Sequence, residues 1–493
     1  MIRKKILFPE MKTVFIVGFF SVSIFLLTSC EDFFDNIQPI GQQTEADQFA
    51  TQEGAELVLL GAYNAQAMYE LDLYVLDVYG DLGMGLSVSA PSWHSAIKGN
   101  FLPSESGGIW YRYYAKIRDC NYFIKNVDAY DTKFVPQSRR EEAIAEARTL
   151  RAMYYFMLVQ MFGDVPLIDE TNFTELFPSR TPVEDVYGFI IEDLEYGTEN
   201  LPDYYPIGIL SDVSEREWGR VVKASANALL AKVLMTAPDP LTDHSRASDL
   251  LQRVIDDSRF HLLDNWGDVF NPAYRADNPE SLIPIMNTNS FQGGGSKLAH
   301  YATFEQTWFR PTAEMYAFYD TTDIRRDSSI NQIIRRVRID NQFTWDTIYL
   351  LNKYMQGLSG DERDNHPQYI MRYPEVLLLK AEALTRLNFE ANKSQAVNLL
   401  NDVRMRANAV LADENTITGQ DEMFDLIMDE YHKELFFEFN TWMTFKRFGM
   451  EKCFERQDIA YTPENEYKIL LPLPSNELLR NPNLTQNTGY SSE

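Results

Sequence analysis

The chain has 493 residues, a formal net charge of −27 and 13% aromatic residues, chiefly 27 tyrosines and 31 phenylalanines. This length allows two or three ordinary domains. The acidic balance argues against binding to nucleic acid or to an anionic membrane surface, because like charges repel. The aromatic content suggests aromatic surfaces in addition to a packed core.

The N-terminus has the pattern of a secretory signal. Basic residues precede an apolar run from Val14 to Leu27. That run is shorter than the roughly 20 residues that span a bilayer, and it is typical of the apolar part of a signal peptide. Small residues then lead to a cysteine in "LTSC", which ends at Cys30. We therefore expect residues 1–29 to be a lipoprotein signal peptide and Cys30 to be acylated, which would anchor the mature chain without spanning the membrane.

Two alternatives stay open at this end of the chain. Cys30 could be an incidental cysteine in a plain signal peptide, and translation could begin at Met11. Residues 30–43 are polar and contain a proline and a glycine, so we expect an acylated tether there. Cys120 and Cys453 form no CxxC pair. We expect both to be buried thiols, with one disulfide as the alternative.

Helical periodicity dominates the rest of the chain. The clearest case is "REEAIAEARTLRAMYYFMLVQMF", where apolar residues recur at steps of three and four until Gly163 ends the pattern. A second helix follows, with Thr181 expected as its cap and Pro182 in its first turn. Helix pairs with small residues at their crossings are typical of tetratricopeptide units. The sequence therefore predicts a mainly α fold with a tetratricopeptide-like helix-pair scaffold, and an irregular helical domain is the alternative.

The body is expected to span residues 44–493. Its predicted parts are helix pairs near 44–128, 137–199, 218–257 and 368–408, and a C-terminal helix and tail over 421–493.

Two long inserts interrupt the helical regions, near 79–106 and 265–364. Both are rich in Gly, Ser, Pro and aromatic residues. Long loops in compact proteins are usually functional or disordered, and the aromatic residues argue against disorder. We therefore expect these loop-rich inserts to form the ligand-binding part of the protein.

The composition of the inserts is compatible with glycan binding. Sugar rings have flat apolar faces on which aromatic side chains stack, and their hydroxyls bond amides, carboxylates and guanidinium groups. The candidate ligand-binding residues are Tyr79, Asp81, Trp93, His94, Asn100 and Phe101 in the first insert and Phe291, Tyr301 and Trp308 in the second. Core packing is the alternative role for each of them. The remaining tryptophans, which lie on or at the start of helical stretches, are expected to pack: Trp110, Trp218, Trp266 and Trp442.

Signatures of catalysis and of metal binding are absent from the sequence. There is no HExxH, GxSxG or GxxxxGK[ST], and no two of the six histidines have the spacing of metal ligands. The segment "DTTDIRRD" from Asp320 to Asp327 has the acids of a metal loop, but Arg325 and Arg326 favour a salt-bridged turn. We expect no cofactor and no catalytic residue, and the sequence indicates no metal ligands. Whether a calcium ion is bound stays open, and composition alone does not exclude a glycosidase carboxylate pair.

Four segments resemble the SusD/RagB family, the outer-membrane nutrient-binding lipoproteins of Bacteroidetes. They occur in family order and extend over most of the chain: "RTLRAMYYFMLVQMFGDVPL", "RYPEVLLLKAEAL", "AVNLLNDVRMRANA" and "YKILLPLPSNELLRNPNLTQNTGY". The late helix departs from the family pattern. Tyr431, Thr441 and Thr444 stand where the family usually has Arg, Arg and Asp, which argues against a buried ion-pair network in this helix.

The resemblance implies a role for the protein. It would bind an oligosaccharide or polysaccharide at the cell surface, anchored to the outer membrane through Cys30. It would then deliver the ligand to a SusC-like TonB-dependent transporter. The acids just after Cys30 resemble the surface-export tag of these lipoproteins.

Three other functions are compatible with the sequence. They are the same role with a peptide cargo, a lipoprotein glycosidase, and a helical adaptor that binds only proteins.

Overall fold

A computed structural model describes residues 44–63, 84–86, 100–205, 219–285, 309–339, 342–356, 366–438, 441–456 and 461–491. The chain divides after Gln48, and apart from the bounds of the first helix the description below concerns the unit from Phe49 onward.

The helical elements are numbered in chain order. The α-helices are α1 (Glu45–Phe49), α2 (Gln52–Tyr63), α3 (Gly107–Ala129), α4 (Ser138–Phe162), α5 (Val183–Asn200), α6 (Lys223–Thr236), α7 (His244–Ile255), α8 (Ala313–Phe318), α9 (Ile324–Ser329), α10 (Tyr373–Arg406), α11 (Gln420–Glu434), α12 (Thr441–Lys446), α13 (Met450–Glu455) and α14 (Ser475–Arg480). The 3-10 helices are Trp266–Phe270, Pro272–Asp277, Lys353–Met355, Glu414–Thr416 and Glu466–Ile469. None of these described helices combines the length and the apolarity that crossing a membrane requires.

The strands form three antiparallel pairs within the described residues. They are β1 (Met84–Leu86) with β3 (Phe309–Pro311), β2 (Ser281–Ile285) with β6 (Gln368–Arg372), and β4 (Ile330–Ile339) with β5 (Gln342–Leu351).

Successive helices pack against one another. In sequence order, α2 packs on α3, and so on through α7, after which α10 packs on both α7 and α11. Central α4 is buried on almost every side, which explains why its apolar residues are not confined to one stripe. This succession of packed helix pairs confirms the predicted mainly α, tetratricopeptide-like scaffold.

Close helix contact depends on small side chains. A Cβ atom added at Gly197 of α5 would lie 2.4 Å from the hydroxyl of Thr149 on α4 and 3.3 Å from the Cβ of Ala226 on α6. The three helices could not approach this closely with a larger residue at position 197. One hydrophobic core runs through these helices and into α10 and α11.

The expected cap of α5 was wrong. The Thr181 backbone forms an isolated bridge with Val165, and its hydroxyl accepts a hydrogen bond from the amide of Leu167. The carboxylate of Asp164 instead accepts from the amide of Val183 at the start of the helix. A tertiary contact therefore provides the cap that we expected from a local residue.

The long helix α10 contains a predicted helix pair. Its backbone is extended at Asn388, with φ −167° and ψ 97°, and the Asn388 side chain accepts from the amide of Ala391 at 3.1 Å. Asn388 thus caps the second half of α10, and the two halves correspond to the two predicted helices.

The second insert has more regular structure than we expected. It contains α8, α9 and a hairpin of two ten-residue strands, in which Ile339 pairs with Gln342 across a two-residue connection. These elements occupy much of residues 309–356, and the sequence analysis did not predict them.

Candidate ligand-binding site

A short β-ladder joins the two inserts. Strand β1 from the first insert pairs with β3 from the second, with Met84 opposite Pro311 and Leu86 opposite Phe309. Paired strands lie about 4.8 Å apart. Two segments that are far apart in sequence therefore meet at one place on the helical scaffold.

Most of the predicted ligand-binding residues lie outside the described part of the chain. These are Tyr79, Asp81, Trp93, His94, Phe291, Tyr301 and Trp308. In the sequence, Asp81 lies three positions before β1 and Trp308 directly precedes β3.

The structure assigns different environments to the two described candidates. Asn100 is exposed, and its side-chain oxygen accepts a hydrogen bond from the ammonium group of Lys468 at 3.1 Å. Phe101 is only 5% exposed and belongs to the hydrophobic core. The Phe101 ring therefore packs in the core in this structure, and its contact with a ligand stays a prediction.

The C-terminal tail holds the end of the first insert. The amide of Ser475 donates to the carbonyl of Pro103 at 3.1 Å, and the amide of Leu471 donates to the carbonyl of Met161 at 2.7 Å. The Asn487 side chain donates to the carbonyls of Leu471 and Phe162. The tail motif that carried the family resemblance thus positions the insert beside α4, a role that sequence reasoning missed.

Buried ion pairs fix one end of the second insert. Arg325, just before β4, is fully buried and bonds the carboxylates of Asp323, Glu430 and Glu434 at 2.6 to 2.9 Å. This contact confirms the salt-bridged turn that we expected in "DTTDIRRD". Lys353, just after β5, pairs with Glu438 and donates to the carbonyl of Phe436 at 2.8 Å.

The same network extends through α10 and α11. Arg372 bonds Glu280, Glu434 and Glu438 at 2.6 to 3.0 Å, and Arg406 bonds Glu280 and Glu434. The expectation that the late helix lacks a buried ion-pair network was therefore wrong. Its carboxylates take their arginines from other elements, so the replacement at positions 431, 441 and 444 did not remove the network.

The network changes the titration of its members. Burial by itself raises the pKa of Glu434, but Arg406, Arg372 and Arg325 together hold that pKa well below its usual range. Burial lowers the pKa of Lys353 to about 8, although the nearby Glu438 opposes this effect. Each buried charge of the network thus has partners of opposite charge: Glu434 has the three arginines and Lys353 has Glu438. Buried charges require such partners.

Three of the four tryptophans that we expected to pack do so. Trp110, Trp266 and Trp442 are at most 4% exposed, and the Trp266 indole donates to Glu434 at 3.2 Å. Trp218 lies outside the described residues.

Both described cysteines are as expected. Cys120 and Cys453 are buried free thiols, which confirms the preferred alternative, and burial raises the pKa of Cys453 to about 12. Where the structure describes the chain, no three His, Cys, Asp or Glu side chains come together as metal ligands could.

The architecture is that of a helical-repeat scaffold which presents two joined inserts. Comparison with known proteins gives the family. The model of the SusD family matches residues 304–490, and a second model, described as starch-binding and associating with the outer membrane, matches residues 32–235. The chain belongs to the SusD family.

Individual relatives align with nearly the whole chain. SusD-like protein P2 from Formosa agariphila is 29% identical over 96% of this chain and 99% of its own length. A SusD superfamily structure from Parabacteroides distasonis has a TM-score of 0.73 at 21% identity and covers 91% of this chain and 100% of its own. A laminarin-binding SusD-like protein has a TM-score of 0.72 at 22% identity and covers 90% and 100%. At these identities the two structures establish the shared fold.

Proposed function

We propose that this chain is a cell-surface lipoprotein that binds an oligosaccharide or polysaccharide and delivers it to a TonB-dependent transporter in the outer membrane. The observation that supports glycan binding most directly is the β1–β3 ladder. It unites the two inserts that contain Trp93, Tyr301 and Trp308 on a rigid scaffold, and binding residues are commonly held on loops in this way.

The relatives support the choice of ligand. One structural neighbour is described as binding laminarin, and the model that matches the N-terminal part is described as starch-binding. Both descriptions name glycans, whose apolar faces suit the aromatic inserts.

The lipoprotein role rests on the N-terminal sequence. The apolar run that ends in "LTSC" supplies a cysteine for acylation. The acidic residues after it resemble the surface-export tag of lipoproteins in this family. We propose that the protein binds its ligand without cleaving it.

Calorimetric titration of the mature chain without Cys30 against glycans and peptides tests this function. We expect a glycan to bind without turnover. Trp93→Ala or Tyr301→Ala should weaken binding about tenfold, which corresponds to about 1.4 kcal/mol. Tyr204→Ala is the matched control, because Tyr204 is 66% exposed and belongs to the segment after α5.

Three results would contradict the proposal. Binding of peptides alone would change the cargo, and the appearance of cleavage products would indicate an enzyme. No binding in either panel would exclude a nutrient-binding role.

A further inference from the structure

The β4–β5 hairpin presents a face that the proposed function does not use. Residues directly opposite each other in an antiparallel pair point to the same side, and positions two apart along a strand share that side. We call one such side the hairpin face. It consists of the pairs Gln332–Tyr349, Ile334–Thr347 and Arg336–Trp345.

Large side chains on this face are exposed. Trp345 is 71% exposed and Ile334 is 73% exposed. Tyr349 is half-buried and packs on Tyr316 with ring centroids 5.3 Å apart. Gln332 lies beside Tyr349, with its side-chain nitrogen 3.5 Å from the tyrosine hydroxyl. The face is therefore a row that begins at Trp345, continues through Tyr349 and ends at Tyr316.

The hairpin is held firmly at its base. Ile330 and Leu351 are each 1% exposed, and Ile348 is buried on the opposite side. Buried Arg325 and Lys353 flank the two strands with their ion pairs. Trp345 thus lies exposed on a strand that is anchored at its base, and an exposed aromatic side chain on a firmly held element is suited to binding.

The polar residues between the rings indicate which kind of ligand fits. Trp345 and Tyr349 can stack on sugar faces, while Gln332, Arg336 and Thr347 can bond hydroxyls. The Cα atoms of Trp345 and Tyr349 are about 14 Å apart along the strand, so the face can accommodate more than one sugar ring. A protein-binding hot spot would instead have a contiguous apolar centre surrounded by a polar rim.

The position of the hairpin points to the same ligand. Strand β3, which belongs to the ladder between the inserts, packs against β5. The hairpin therefore lies beside the candidate ligand-binding site. We propose that the hairpin face binds a further stretch of the glycan chain whose first part is held by the inserts. This inference rests on the proposed function and adds that the natural ligand is a polymer longer than the inserts can hold.

The test compares polymers with short fragments of the same sugars. The mature chain without Cys30 is run in native gels that contain laminarin, starch, alginate or pectin, and is titrated by calorimetry with the corresponding trisaccharides. We expect Trp345→Ala to weaken polymer binding about tenfold and to change trisaccharide binding by less than twofold. Trp345→Phe, which keeps a stacking ring, should restore most of the polymer affinity.

Matched variants separate the possible failures. Tyr204→Ala, which removes an exposed ring elsewhere, should change neither affinity. If the unaltered chain binds and Trp345→Ala has no effect on any polymer, the inference is wrong while the proposed function stands. If the unaltered chain binds neither polymers nor trisaccharides, both are wrong. The inference is also wrong if Trp345→Ala weakens the binding of polymer and trisaccharide equally. It is wrong as well if Trp345→Ala leaves glycan binding unchanged but abolishes copurification with a membrane protein.

Discussion

Glu434 shows how strongly a single residue can depend on its neighbours. Its carboxylate bonds Arg325, Arg372 and Arg406, and the surrounding positive charge holds its pKa far below the usual range. Three elements, α9, β6 and α10, are thereby joined to α11. Burying one such group is favourable only while all of its partners remain.

Replacing Glu434 should therefore destabilise the protein. We expect Glu434→Gln to lower the free energy of unfolding by about 3 kcal/mol, because it leaves buried arginines without enough negative charge. Urea unfolding measures the change. Asp425→Asn is the control on the same helix, since Asp425 is exposed and pairs with Lys452, and it should cost under about 1 kcal/mol. Equal losses in the two variants would contradict this account.

Lys446 should make stability depend on pH. Its ammonium group lies 3.7 Å from the centroid of the Trp442 ring, and burial lowers its pKa from 10.5 to about 7. Between these two values the unfolded chain binds a proton that the folded chain does not. The contribution of Lys446 to the free energy of unfolding therefore rises with pH across this window and is lowest at and below pH 7.

The variant Lys446→Met removes this titration. The free energy of unfolding of Lys446→Met minus that of the natural chain should be more positive at pH 7 than at pH 9, because the natural chain carries the penalty of a buried ammonium group at pH 7. Urea unfolding at both pH values measures this difference. A difference between the two proteins that stays the same at pH 7 and pH 9 would show that the lysine titrates normally in the folded chain.

Among the elements, the C-terminal tail depends on one close contact. Gly489 has φ 90°, and a Cβ atom there would lie 2.3 Å from the Tyr467 ring. Gly489→Ala should therefore lower the melting temperature and speed proteolysis within residues 461–491. Gly419→Ala is the control, because nothing lies within 4 Å of its added Cβ atom. Undocking of the tail is expected to loosen Asn100 as well, since Lys468 bonds it.

How far the sequence predicts an element depends on the range of its contacts. Helices such as α4 and the two halves of α10 were predictable, because their long apolar segments are bounded by local signals such as Gly163 after α4 and Asn388 within α10. The β4–β5 hairpin was missed, since Ile333 and Ile334 are adjacent and break the strict alternation of a strand. The β1–β3 ladder has only three residues in each strand, and the sequence around each strand has no pattern that predicts it. The pairing arises between segments that are far apart in the sequence. The position of the candidate site could therefore not be derived from the sequence, although the composition of the inserts suggested its chemistry.

For the molecule as a whole, the membrane anchor is the simplest property to test. We expect the full chain to sediment with outer membranes and the N-terminal peptide to carry a lipid on Cys30. A Cys30→Ala chain should be lost from that fraction, because it lacks the thiol on which the lipid anchor is attached. Membrane retention of the variant to the same extent would contradict the lipoprotein assignment.

The central claim is that two inserts, joined by the β1–β3 ladder, form one ligand-binding site on a SusD-family scaffold. Hydroxyl-radical footprinting of the mature chain, with and without a glycan that it binds, tests this claim most directly. The account predicts simultaneous protection of peptides from residues 79–106 and from residues 265–312, while buried Trp442 stays unmodified in both conditions. Protection of one insert alone, or of neither, would contradict it.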